Sequence, residues 1–130
     1  MLMDDLTSYL VLAGIATPIQ KGSMAESPDT VVAFRETGGF PGQHVMNVAA
    51  GNAVIEEPTV QVLVRAKAYD AAETLIRSVS AVLDGLRNQT INGVRYHWVR
   101  AMQPPSLLER DQNQRFVLVF NVHIKRQTVP

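Results

Sequence analysis

The sequence predicts an α+β fold: a single sheet of four or more strands, antiparallel or mixed, with two helices packed on one face, in the order α-β-β-α-β-β. Three observations carry this expectation. Residues 59–66 alternate Val60, Val62 and Val64 against Gln61, Leu63 and Arg65, which is the two-residue period of a strand. Just beyond them, Ala72, Leu75, Ile76, Val79, Val82, Leu83 and Leu86 recur at helical spacing and form one apolar stripe. Residues 116–125 place Phe116, Leu118, Phe120, Val122 and Ile124 on one face, the strongest strand signal in the chain. At 130 residues the chain is the size of one domain with its own core.

The elements follow in order. Residues 3–13 read as a short amphipathic helix through Leu6, Tyr9, Leu10 and Ala13; Asp4 or Asp5 caps its start and Gly14 ends it. Residues 17–29, with Pro18, Gly22 and Pro28, read as an extended loop holding a short strand at Ile19 and Gln20. Residues 30–36 form a strand with Val32 and Phe34 on one face. Gly38, Gly39, Pro41 and Gly42 then interrupt the pattern, so residues 38–57 are expected to form a long loop or an extended hairpin arm. Its second part, residues 45–55, is unusually apolar for a solvated loop.

In the long helix, Asp70 and Glu73 stand at capping-box spacing, and Gly85 lies near the end. Asn92-Gly93 fits a type I′ turn. Residues 94–102 then alternate Val94, Tyr96 and Trp98 against Arg95, His97 and Val99, which puts Tyr96 and Trp98 together in the core. Pro104 and Pro105 stop that strand, and residues 106–114 read as a loop. Whether the strands flanking the long helix are parallel neighbours or lie apart in the sheet is left open by the pattern.

Composition narrows the chemistry. With no cysteine there is no disulfide, thiol nucleophile or cysteine-ligated zinc. No apolar run has the length of a membrane-spanning helix, so no membrane association is expected. Asp4 and Asp5 stand where a secretory signal would carry lysine or arginine. Net charge is zero, yet residues 1–84 sum to −5 and residues 85–130 to +5. Such asymmetry suits head-to-tail contact between copies, or a basic face for an acidic partner.

Motifs for catalysis do not emerge. His44, His97 and His123 are not spaced as a ligand pair, and the glycines at 38, 39 and 42 lack the lysine and helix of a phosphate loop. No serine sits in a nucleophile elbow. The expectation is therefore a chain that is not an enzyme and takes no cofactor or metal. Arg87, Arg95, Arg100, Arg110, Arg115, Lys125 and Arg126 make the C-terminal part basic, but no sequence-reading DNA motif accompanies them. A nucleic-acid-binding module would show steeply salt-dependent affinity for DNA.

Several short motifs together resemble a known family. They are Gly22-Ser23-Met24 with Ser27-Pro28-Asp29, the run from Val31 to Gly39, the run from Pro58 to Ala66 with Tyr69-Asp70-Ala71-Ala72, and Asn92-Gly93-Val94 with Pro105, Asp111, Arg115 and Phe116. The pattern resembles the phage proteins labelled minor capsid protein, similar to the tail terminators of long-tailed phages, and it spans nearly the whole chain as one domain, 1–130. The resemblance implies a virion protein, assembled in the host cytoplasm and placed at the tail–head junction. It implies a ring, commonly a hexamer, at the head-proximal end of the tail tube. Such a ring stops tube polymerisation, meets the tail tube protein and the head connector, and lets DNA pass without specific binding.

A closed ring needs a heterologous interface between copies. The candidate interface residues are Phe40, Val45, Met46 and Val48 of the 38–57 segment, with Arg110 and Arg115 from the later loop. Two other readings are a head-completion or connector protein of the neck and, from a different class, a small ligand-binding or enzymatic α/β domain. A deep pocket with converging polar groups would favour the last.

Overall fold

The structure, a computed structural model, describes residues 2–44 and 54–127. Its elements are α1 (Leu2–Leu12), β1 (Ile19–Lys21), β2 (Val31–His44), β3 (Val54–Ala66), α2 (Tyr69–Asp84), β4 (Arg87–Ile91), β5 (Val94–Ala101), β6 (Ser106–Arg110) and β7 (Phe116–Gln127). The α+β class holds, but the order is α-β-β-β-α-β-β-β-β rather than α-β-β-α-β-β. β4 and β6 are the additions, and β1 is the short strand expected at Ile19 and Gln20, which that order left out. β4 and β6 are largely exposed along their length, so neither carries the apolar alternation that marks a half-buried strand.

All seven strands join one mixed sheet in the order β1-β2-β3-β7-β5-β4, with β6 also paired to β7. β7 is its hub. One side of β7 pairs antiparallel with β3 along its length. The other side is shared: β6 takes Phe116 to Val119, and β5 takes Val122 to Gln127. β1 and β2 pair in parallel; the other pairs are antiparallel. β3 and β4, which flank α2, are separated in the sheet by β7 and β5.

One large core joins the elements. Leu2, Leu6 and Leu10 of α1 and Ala72, Ile76, Val79 and Leu83 of α2 are buried in one cluster with Val32, Phe34, Val60, Val62, Val64, Leu118, Phe120, Val122 and Ile124. At about 1.5–3 kcal/mol per buried large apolar side chain, this cluster dominates the stabilising side of the balance. The helix ends depart from expectation. Asp70 and Glu73 form no capping box: Ala68 occupies the N-cap without a side-chain bond, and Glu73 pairs instead with Arg77 at 3.1 Å. Gly85 ends α2 in a right-handed conformation. Gly14, at φ +97°, does take the left-handed position after α1.

Two irregularities reshape the sheet. Gly38 and Gly39 do not begin a loop. β2 continues through them to His44 and stays paired with β3, with register shifts between Glu36 and Gly39 and between Phe40 and Gln43. At Gly39 a Cβ would lie 2.5 Å from the Glu57 carbonyl oxygen, so only glycine allows the strands to approach this closely. The second irregularity lies in β5, where the register against β7 slips between Tyr96 and Trp98. His97 is the extra residue of this bulge. Tyr96 and Val99 therefore both reach the helix-side core, while Trp98 turns to the opposite face. The expectation that Tyr96 and Trp98 share a core face is overturned by this one inserted residue.

Tyr96 in turn anchors α1. Its hydroxyl donates to the Asp5 carboxylate at 2.5 Å, and the Asn92 Nδ2 donates to the same carboxylate at 2.7 Å. Asp5 is fully buried, so it serves as a tertiary tie rather than a helix cap. Asn92 and Gly93 hold positive φ, as a type I′ turn requires, and this turn presents the Asn92 amide to α1. Burial and the bond to Asp5 push the Tyr96 hydroxyl well above its ordinary range, so it stays protonated as a donor. Tyr96→Phe is expected to lower unfolding free energy by about 1.5–3 kcal/mol, the value of a hydrogen bond to a charged group. Urea denaturation followed by circular dichroism checks this; an unchanged midpoint would contradict it.

Candidate assembly surface

The helices cover one face of the sheet, and the other face divides into two unequal halves. Strand alternation places Ala33, Leu63, Val117 and Val119 on the lower half, where they form a small second cluster under Met24. The segment between β1 and β2 that carries Met24 is polar and has little apolar surface of its own to hold it down. Two arginines fasten it. Arg65 donates from Nε to the Asp29 carbonyl at 3.2 Å and from Nη2 to the Pro28 carbonyl at 2.5 Å. Arg115 donates to Asp111 Oδ2 at 2.7 Å, to the Glu26 carbonyl at 2.5 Å and to Glu26 Oε1 at 3.1 Å. Both arginines are buried.

Charge balance in this clamp is set by competition. Burial opposes the Arg115 charge, but Asp111, Glu26 and Asp29 outweigh it and raise its pKa. Burial likewise opposes ionisation of Asp111, and the hydrogen bonds and charge of Arg115 still hold its carboxyl below the ordinary range. Asp29 is lowered by its bond to Lys67 and, further, by Arg115. For Arg65, burial and then the neighbouring Arg115 charge lower the pKa.

The upper half of this face is open. Phe40, 52% exposed, lays its ring against His123 with centroids 4.6 Å apart. Trp98 meets the other side of His123 edge-on at 4.8 Å. The Arg100 guanidinium sits 4.1 Å above the Trp98 ring. Glu57 Oε1 lies 3.2 Å from His123 Nε2. An aromatic row thus crosses the sheet from β2 over β3 to β7 and β5, flanked by Arg100. Aromatic and arginine side chains held rigidly on strands, and only partly buried, are the residue types that anchor protein contacts.

The sequence-expected residues fall in different places. Phe40 is on the open half. Arg110 is exposed, with its guanidinium 4.6 Å over the Phe116 ring near the exposed Leu107 and Leu108 of β6. Arg115 is buried, and its guanidinium is engaged by Asp111 and Glu26 within the chain. Val45, Met46 and Val48 lie outside the described residues. Sequence reasoning missed Trp98, His123 and Arg100; the only hint was the basic, aromatic character of residues 94–100.

Elsewhere, a groove of about 610 Å³ runs between the end of α1 and the start of α2. Its polar lining is Asp70 with the hydroxyls of Thr17, Thr30, Thr74 and Ser78, and no histidine, lysine or second carboxylate among the described residues lines it beside Asp70. Among the described residues, no three histidine, aspartate or glutamate side chains converge as a metal site would require. No helix among them is long and apolar enough to cross a membrane.

Comparison with known proteins bears on this geometry. The model of the family described as bacteriophage tail terminator protein matches residues 9–128. The chain belongs to this family. It is a family of structural phage proteins, so the terminator-like chain is a tail-related virion component. Solved structures share its fold, among them the following two. A chain from the virion of a native gene transfer agent particle matches with a TM-score of 0.58 at 13% identity, covering 97% of this chain and 94% of that one. A second solved chain, without a descriptive name, matches with a TM-score of 0.53 at 17% identity, covering 99% of this chain and 92% of its own. No curated protein sequence matches at a significant level.

Breaking the clamp has a readable consequence. Arg115→Ala is expected to release the segment after β1, so that trypsin cleaves after Lys21 faster than in the native chain. The native clamp should itself be acid-sensitive. The folded-state carboxyl pKa values of Asp29 and Asp111 are depressed, so their contribution is full above the ordinary value of about 3.9 and fades as pH falls through the depressed values. Hydrogen exchange of the amides of residues 22–30, followed at stepped pH, would show this. A cleavage rate insensitive to the substitution, with amide protection insensitive to acid, would contradict the clamp.

Proposed function

We propose that this chain is a tail terminator that closes into a ring, a hexamer, on the head-proximal end of the tail tube. There it stops tube polymerisation and joins the tail to the head connector, while DNA passes through the ring without sequence-specific binding. The observation that carries the reading is the family match over residues 9–128. The fold likeness to a chain of the gene transfer agent virion is in keeping with it. In this reading the chain assembles in the host cytoplasm and ends at the tail–head junction.

The contacts are assigned as follows. Phe40, with Val45, Met46 and Val48 of the connecting segment, meets a neighbouring copy or the tail tube protein. Arg110, with exposed Leu107 and Leu108 of β6, offers a second patch. The two patches belong to different parts of the sheet, as a heterologous ring interface requires. Arg115 acts indirectly by holding the β1–β2 segment in place.

Particles lacking the chain test the role. Overlong tails without heads are expected. Tails of normal length beside heads that leak DNA would instead assign a head-completion role in the neck. Mass photometry of the pure protein over a range of concentrations, with and without tail tubes, tests the ring. Phe40→Ala is expected to weaken assembly tenfold or more while leaving the unfolding midpoint nearly unchanged, because Phe40 is half exposed. Unaltered assembly of that variant would remove Phe40 from the interface.

A further inference from the structure

The open half of the sheet carries, beside Phe40, a group of cations that the contacts proposed above leave unassigned. Strand alternation places Arg35 of β2, Arg95 and Arg100 of β5, and Lys125 of β7 on this face. Arg35, Arg95 and Arg100 are exposed and Lys125 is half-buried. Arg35 stands at the border of the two halves, where its Nε donates to the Gly22 carbonyl at 3.4 Å; it lines a groove with Glu26, Glu109 and Asp111 and so belongs with the lower half. Among the described residues, the carboxylate that shares the open half with Arg95, Arg100 and Lys125 is Glu57, and it already lies against His123. Arg95, Arg100 and Lys125 form no ion pair with any described residue. The other lysines and several arginines do: Lys21, Lys67, Arg77, Arg115 and Arg126 each face a carboxylate. Like charges gathered without counter-charges repel one another, so this grouping costs the isolated fold and favours an external anion.

We propose that this half-face contacts the phosphate backbone of double-stranded DNA, independently of base sequence. The inference goes beyond ring formation and would stand without it. Breadth favours DNA over an acidic protein loop. Along β5 and β7, from Arg100 opposite His123 to Arg95 opposite Gln127, the three unpaired cations span four residue steps, about 13 Å, which faces roughly three to four phosphates of one DNA strand. A loop with one or two carboxylates would leave most of that width unmatched. Arg100 is already placed for such a contact, since its guanidinium carbon sits 4.1 Å over the Trp98 ring and no described side chain or carbonyl takes its N–H groups. Among the described residues no helix lies on this face to enter a groove, so the contact reads charge and not bases.

Fluorescence anisotropy with a labelled duplex of arbitrary sequence tests the proposal, using the native chain, the triple variant Arg95→Gln/Arg100→Gln/Lys125→Gln, and the control Lys67→Gln/Arg77→Gln. Native affinity should fall roughly fortyfold between 50 and 200 mM NaCl, as about three neutralised phosphates require. At 50 mM the triple variant should bind at least tenfold more weakly and the control within twofold of native. The milder Lys125→Gln should reduce the salt slope by about one unit, which keeps the test valid if the triple variant folds poorly. Absence of duplex binding at 50 mM, or equal losses in triple variant and control, would overturn the proposal. So would a triple variant that binds DNA normally but fails to self-associate, since that marks the face as an interface between copies.

Discussion

The extra residue at His97 decides how this sheet is used. A strand without it would send Tyr96 and Trp98 to the same side. With the bulge, Tyr96 enters the core, where its hydroxyl and the Asn92 amide hold the buried Asp5 of α1. Trp98 leaves the core and joins Phe40, His123 and Arg100 on the far face. A single irregularity therefore supplies both the tie that docks the first helix and the aromatic row that faces outward. Without the slip, either the carboxylate of Asp5 would lose its strongest donor or a bulky indole would crowd the packing beneath α2.

The far face shows a second division of labour. Its lower half is closed by the chain's own segment between β1 and β2, held by two buried arginines rather than by apolar area. Guanidinium groups suit this because their fixed fork satisfies several carbonyls and carboxylates at once. The arrangement confines exposure to the upper half. Bulges and glycine along β2 bring its continuation close against β3 and set Phe40 at the rim of the open surface. The family of bacteriophage tail terminators, to which the chain belongs, is one of structural virion proteins, and a sheet with one face closed and the other partly open is suited to contact with further components.

Periodicity made the core readable in advance. The stripes of α1 and α2 and the alternation in β3 and β7 lie in the sequence because each element buries a single face. The Asn92-Gly93 turn was legible for a similar local reason, since few other pairs accept two positive φ values. The resemblance to phage proteins was legible from short motifs spread along the chain, and the family match agrees with it. What stayed hidden is what depends on position in space. β4 and β6 are mostly solvated, so they lack apolar alternation. Glycines that mark a bulge look like glycines that mark a loop. Asp5 reads as a helix cap until Tyr96 and Asn92 converge on it. Arg115 reads as a surface charge until the β1–β2 segment folds over it. The outward turn of Trp98 could not be read at all, because a bulge leaves no local signature in a strand that alternates on both sides of it.

The sheet is sealed by helices on one side and, over half of the other, left open for contact. The single tryptophan gives a direct test of that division. In a nuclear Overhauser spectrum of the protein in solution, the indole protons of Trp98 should show cross-peaks to the ring protons of His123 and none to the methyl groups of α2. Cross-peaks from Trp98 to Ile76, Val79 or Leu83 would place the indole in the core and contradict it.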